Sequence, residues 1–277
     1  MKDKRLKGSF LLLLLSFFIG CKQSDPNDVL GRKGDEVHFA GRIWDVKSSN
    51  QPVGPGPNYF SPFYDDVWVD DKGYLHLTIN KRNEIWYSSE VISQDTMGYG
   101  TYTWVLQTDP ITFAENVVLG LFTWDDSTFF TQANSEVDIE LSKWGDAAST
   151  TPLTYSVQPV SFGSFYPERT REMDINPSIL TGVTTHQFEW TPTLISWKSY
   201  KGKGATGEPI SQWSFNLNHP PRIKYDGGQA SNPVVIPAPG KHTNTRMNLW
   251  TLPFQSVGPI NDLRHEVVIQ DFMYSPL

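Results

Sequence analysis

From about residue 39 to the C-terminus the chain keeps repeating one pattern: short runs of alternating apolar and polar residues, each closed by Gly, Pro, Asn or Asp. Successive side chains of an extended strand point to opposite faces, so such runs make half-buried strands rather than amphipathic helices. No stretch holds a helical apolar period long enough to predict a convincing helix. Val67-Trp68-Val69, then Asp70-Asp71-Lys72-Gly73, then Tyr74 to Ile79 predicts a hairpin with a Gly-ended turn. The same pattern predicts strands over 84–92, 99–107, 117–124, 136–141, 154–158, 185–190, 194–200, 246–252 and 265–274. Many short strands without an internal repeat predict an all-β sandwich or jelly roll. Two segments interrupt the pattern. The Pro/Gly-rich stretch from Gln51 to Asn58 is expected to be rigid and not a strand, and residues 201–243 read as a long loop. The strand pattern resumes after each, so neither marks a domain boundary.

The N-terminus is different. Lys2, Lys4, Arg5 and Lys7 precede an apolar run from Phe10 to Ile19, which is signal-peptide length and too short to span a bilayer. It ends Phe18-Ile19-Gly20-Cys21, which resembles a bacterial lipobox, and Cys21 is the only cysteine of the 277 residues. The expected organisation is a lipoprotein signal over 1–20, a lipid-anchored polar tether over 21–35 with Cys21 as attachment point, and one all-β domain over 36–277. The protein is expected to be exported, held at the outer membrane or cell surface by its lipid alone, and monomeric.

The formal net charge is −7, and the basic leader leaves the rest of the chain more acidic still. No basic run follows it, which argues against nucleic acid as a partner. The six histidines have no metal-ligand spacing, and there is no phosphate-binding glycine loop or serine-nucleophile motif. Ten tryptophans are many for this length. Each can serve a β-core or stack on a sugar ring.

The most informative segment is Ser135-Glu136-Val137-Asp138-Ile139-Glu140-Leu141. As a strand it puts Val137, Ile139 and Leu141 on one face and Glu136, Asp138 and Glu140 on the other. Three like charges in file repel, so at least one is expected to keep its proton and the group to titrate as a unit. Glycoside hydrolysis needs one ionised and one protonated carboxyl. Positions four apart lie roughly 13 Å apart on a flat strand, whereas retaining glycosidases hold their carboxyls about 5–5.5 Å apart. The catalytic reading therefore requires a concave sheet. A solvated acidic face or a calcium-binding cluster is the alternative that the segment alone leaves open.

Glu136-Val137-Asp138-Ile139-Glu140 resembles the E-x-D-x-E signature of glycoside hydrolase family 16. The resemblance extends over most of the chain. Gly98 to Tyr102 is similar to the family's glycine-tyrosine strand, Leu121 to Trp124 to its aromatic cleft strand, Phe188 to Pro192 with Ile195 to Trp197 to the following pair, and Met247 to Trp250 to a late cleft strand. It implies a β-jelly roll of two curved antiparallel sheets with a concave substrate cleft, and retaining endo-hydrolysis of a β-linked polysaccharide. Carried over by position, Glu136 is the nucleophile, Glu140 the acid/base and Asp138 the assisting carboxylate. Glu90, Trp124 and Trp250 match sugar-contacting positions, with Asn58 and Gln158 as looser matches. No cofactor is implied for catalysis, although a structural calcium ion on the convex face would suit the fold.

Three departures stand out. Many members carry Trp two residues before the nucleophile, where this chain has Asn134. Some carry Arg two residues after the matched Glu, where this chain has Ile92. A single residue separates Asp138 from Glu140, as in lichenases and carrageenases, whereas laminarinases and agarases usually add a bulge residue. β-1,3-1,4-Glucan, β-1,3-glucan and sulfated galactans all remain open as substrates. Besides the hydrolase, the sequence admits a surface glycan-binding lipoprotein of the same fold and a structural or adhesion sandwich.

Overall fold

The computed structural model describes residues 36–150, 152–160, 166–220, 234–252 and 258–277. The signal segment, Cys21 and the tether lie outside the described residues. Strands dominate, as the alternation predicts, and among the described residues the one α-helix is the single turn Phe129–Gln132. The predicted strand over 117–124 is observed as Val117–Trp124, and the others agree to within a few residues. The hairpin between Val67–Val69 and Leu75–Arg82 forms as expected. Asp70 closes its turn by accepting from the Lys72 and Tyr74 amides at 2.9 and 2.8 Å, and Gly73 takes the left-handed φ of 81° that the turn needs.

The strands stack in two layers. One layer runs Glu36–Phe39, Arg42–Val46, Ile85–Ser93, Asn244–Thr251, Val117–Trp124, Val137–Ser142, Leu153–Val157 and Thr170–Glu172, all antiparallel neighbours. The other runs Val67–Val69, Leu75–Arg82, His265–Pro276, Gly100–Thr108, Gly182–Trp190, Leu194–Lys201 and Ser211–Asn216. The ladder between Asn80–Arg82 and Ile85–Tyr87 joins the two layers, so the jelly roll is one 17-stranded sheet folded onto itself.

The core lies between the layers. Ile139, Leu121 and Met247 stand in one cross-strand row facing Trp104, Phe188, Trp197 and Phe272. Burying one such aliphatic side chain contributes roughly 1.5–3 kcal/mol. A one-residue slip of the Val137–Ser142 strand would turn these residues outwards and drive the carboxylates into the core, so burial sets the register. Trp44, Trp104, Trp190 and Trp197 are fully buried and belong to this core. His186 is also fully inside, where burial pushes it down to about 3, and its ring bridges Thr184 and Ser199.

Two expectations are corrected. Part of the Gln51–Asn58 stretch is strand: Ser49–Val53 pairs with Asn58–Phe60 across a register irregularity. Pro52 is tolerated because this strand is a largely exposed edge, where no ladder donor is required. Within 201–243, Ser211–Asn216 forms a strand against Leu194–Lys201. Its six residues carry too little alternation to stand out between Gly- and Pro-rich flanks.

Candidate active site

The layer that carries the acidic strand is hollow on the face away from the core. It holds a cavity of about 670 Å³, lined by Glu136, Asp138 and Glu140 together with Glu90, Trp124, Gln158 and Trp250. The period-2 rule thus places all three carboxylates in one cleft. Strand register then sets their neighbours. Asp138 lies opposite Phe122 and Ser156, while Glu140 lies opposite Gly120 and Thr154. Beyond Gly120 the same row continues through Asn248 to Glu90.

Glu136 sits at the mouth of its strand, and the chain that delivers it is unusual. Ala133, Asn134 and Ser135 are all left-handed, with φ of 50°, 59° and 53°. Such runs cost energy and persist only where the surroundings hold them. Here Thr123 Oγ1 donates to the Ser135 carbonyl at 2.8 Å and accepts from the Val137 amide at 3.1 Å, and Ser135 Oγ donates to the Ala238 carbonyl at 2.7 Å. On the other side the Gln158 amide donates to the Glu136 carbonyl at 3.1 Å. Asn134 is buried, and its Nδ2 donates to the Asp125 carbonyl at 3.2 Å. It supplies a turn and no cleft wall, which gives the missing Trp a structural account: Asn tolerates the left-handed region far better.

Asp138 is held from two sides. Gln158 Nε2 donates to its carboxylate at 3.0 Å, and the Trp197 indole, reaching across from the other layer, donates to its backbone carbonyl at 3.0 Å. Gln158 is itself fixed, because its Oε1 accepts from the Val160 amide at 2.8 Å and the buried Arg169 donates to its carbonyl at 2.9 Å.

Burial is the largest influence on all three carboxyls and raises each of them. Asp138 is pushed up to about 7, against the pull of hydrogen bonds from Gln158 and Glu136. Glu136 lies well above the ordinary carboxylate range, raised by burial and then by the charges of Asp138 and Glu140, with Arg246 opposing. Glu140 is likewise high, from burial and then Asp138. The three carboxyls therefore titrate as one set, with a hydrogen bond joining Glu136 to Asp138.

The remaining expected residues divide. Glu90 is buried in the floor; Lys47 Nζ donates to its Oε2 at 2.9 Å, and Asn248 Nδ2 lies 3.4 Å from the same oxygen. Trp124 and Trp250 present half-exposed rings to the cleft, and the Trp124 indole donates to Asp126 at 2.8 Å. Asn58 differs from its expected role. It is buried outside the cavity lining, where its Nδ2 donates to the Pro55 and Thr251 carbonyls at 2.8 and 2.9 Å and its Oδ1 accepts from Ser88 and Thr251. It pins the loop that forms one cleft wall.

The sequence reading missed Lys47, Asp126, Arg246 and Asn248, all of which line the cavity. Arg246 and Asn248 had a signal: they alternate with Trp250 on a predicted strand and so share its face. Lys47 had none, because it follows the strand Arg42–Val46, which the pattern did not reveal.

Solved structures of β-glucanases share this fold. A laminarinase from Flavobacterium sp. UMI-01 superposes with a TM-score of 0.60 at 13% identity, covering 88% of this chain and 100% of that one. A Bacteroides ovatus mixed-linkage glucan enzyme of glycoside hydrolase family 16, solved with a G4G4G3G product, gives 0.56 at 10% identity over 84% of this chain and 94% of that one. A Mycobacterium tuberculosis protein described as an immunostimulatory antigen and pseudo β-1,3-glucanase gives 0.56 at 14% identity over 84% and 91%. No protein-family model matches the sequence, and no curated protein matches it.

Proposed function

We propose that the protein is a glycoside hydrolase acting on a β-linked polysaccharide, a retaining endo-β-glycanase working by double displacement. The observation that carries the reading is the convergence of Glu136, Asp138 and Glu140 in one cleft, where their charges act on one another and burial raises each of them. Glu136 attacks the anomeric carbon after passing its shared proton to Asp138. Glu140, whose acid form burial favours, gives its proton to the leaving oxygen. Deprotonated Glu140 then takes a proton from water, which attacks the glycosyl-enzyme and restores Glu136 with net retention. Trp124 and Trp250 offer ring faces to sugars. Asn248 Oδ1, buried without a hydrogen-bond partner among the described residues, offers an acceptor to a sugar hydroxyl.

The test is to incubate the protein with β-1,3-1,4-glucan, β-1,3-glucan and sulfated galactans and measure new reducing ends and the anomer first released. Oligosaccharides of retained configuration from one of them support the reading, and Glu136→Gln should then abolish turnover while keeping glycan affinity. Glu140→Gln should lose least on substrates with good leaving groups, where acid assistance matters less. The second reading, a glycan-binding protein without turnover, draws on Asn134 standing where many members have a cleft Trp and on the pseudo-glucanase among the similar structures. It predicts retardation in a glycan affinity gel with no product. We also propose that Cys21 carries lipid and that the protein is exported to the cell surface. Palmitate labelling lost in Cys21→Ala is the expected result, and unchanged labelling refutes it.

A further inference from the structure

We infer that Asp126 is a specificity-determining residue that reserves the cleft for uncharged β-glycans and turns sulfated ones away, by engaging a guanidinium that would otherwise hold their sulfates. The inference rests on the reading of the cleft as a glycan site, and it chooses among the substrates that the three carboxyls leave open. Asp126 follows Trp124 by two residues, and its carboxylate stands at the edge of that ring. Its Oδ1 accepts from the Trp124 indole at 2.8 Å, and its Oδ2 lies 3.4 Å from Arg246 Nη2. The side chain is 84% exposed, so its charge meets whatever enters beside the ring.

Anionic sugar substituents are held by Arg and Lys donors. Among the described residues, Lys47 and Arg246 are the cationic side chains that line the cavity, and both are already engaged. Lys47 Nζ donates to Glu90 Oε2 at 2.9 Å and to the Gly54 carbonyl at 2.8 Å, and the centre of the Phe60 ring lies 4.2 Å from it. Arg246 is only 12% exposed. Its Nε donates to Asn244 Oδ1 at 3.1 Å, its Nη1 stands 3.5 Å from Glu90 Oε1, and its Nη2 faces Asp126. Its Cζ sits 5.4 Å over the centre of the Trp124 ring. Each guanidinium nitrogen thus faces an oxygen of the protein, and one face of the group covers the indole.

The balance of charge points the same way. Against these two cations the cavity is lined by five carboxyls: Glu90, Asp126, Glu136, Asp138 and Glu140. Glu90 is buried between both cations, so it cannot swing aside to release them. Asp126 stands exposed at the rim, and its charge can be removed without disturbing that floor. A sulfate ester stays ionised throughout the neutral range. A like charge about 4 Å away weakens its binding about tenfold, even with much of the field screened by water. The hydroxyls of an uncharged sugar donate as well as accept, so the same carboxylates attract them.

The test measures Kd by titration calorimetry for wild type, Asp126→Asn and Asp126→Glu. The probes are β-1,3-glucan, β-1,3-1,4-glucan, each of these after chemical sulfation, and a sulfated galactan. Asn keeps a carbonyl for the Trp124 indole and loses the charge; Glu keeps the charge. Wild type should bind a neutral β-glucan and lose about tenfold or more in affinity when that glucan is sulfated. Raising salt from about 0.01 M to about 1 M should narrow this gap, because exposed charges are then screened. Asp126→Asn should narrow it about tenfold at low salt, and Asp126→Glu should keep it, a pattern that a merely structural role for Asp126 would not give. A sulfated galactan that binds wild type more tightly than either neutral glucan, or a gap unmoved in Asp126→Asn, overturns the inference. Neutral β-glucan bound with the expected gap but never cleaved keeps the specificity role and removes the hydrolase reading instead. No binding of any probe by any of the three proteins overturns both.

Discussion

Replacing Asp138 by Asn should stabilise the fold in mildly alkaline solution and leave it nearly unchanged in acid. Asp138 is buried, and its carboxyl is pushed up from 3.8 to about 7 in the folded protein. Below the unfolded value both states hold the proton, and the group is neutral in the comparison. Between the two values the unfolded chain releases a proton that the folded chain keeps, so stability falls as pH rises. Above about 7 the full cost is present. At about 1.4 kcal/mol per pH unit, that cost is of the order of 4 kcal/mol. Asn has the same shape and no charge. Its carbonyl can keep the 3.0 Å bond from Gln158, and its amide can donate to Glu136. It also removes the charge that raises Glu136 and Glu140. The expected gain is about 2–4 kcal/mol at pH 8, most of it gone at pH 4. Urea unfolding at both pH values, with unchanged m, measures it. Equal stability of the two proteins at pH 8, or the same difference at both pH values, would refute the claim that burial of this carboxyl is what raises it. Turnover should fall in the same variant, because Glu136 loses the group that takes its proton.

Gly120→Ala should disturb the cleft more than the fold: a Cβ there meets Asn248 Oδ1 at 2.5 Å, so Asn248 must move, and KM should rise several-fold for a stability loss of about 1–3 kcal/mol in urea. Trp197→Phe keeps most of the core contact but removes the indole donor that the Asp138 carbonyl accepts at 3.0 Å, which should cost about 0.5–1.5 kcal/mol in chemical denaturation. Trp124→Ala removes a half-exposed ring from the cleft and the platform under Arg246, so glycan retardation in an affinity gel should weaken about tenfold, and unchanged retardation would remove Trp124 from the binding surface.

The sequence by itself determined what depends on neighbours along the chain. Alternation is a property of extended backbone, so Val117–Trp124 could be read to the residue, and the shared face of Glu136, Asp138 and Glu140 followed from spacing alone. The same local rule, applied from Trp250, would have exposed Asn248 and Arg246. Tertiary structure decided what depends on which strand lies beside which. Ser49–Val53 and Ser211–Asn216 are strands because partners pair with them, not because their own residues demand it. Asn58 became a pin for a loop because Thr251, far along the chain, is within its reach. Arg246 faces Ile92, and Lys47 reaches Glu90, only once four distant segments have closed into one sheet. Register across strands is set by burying Ile139, Leu121 and Met247 together, a cooperative choice that no single segment encodes, and that choice turned three spaced acids into one proton-sharing cleft.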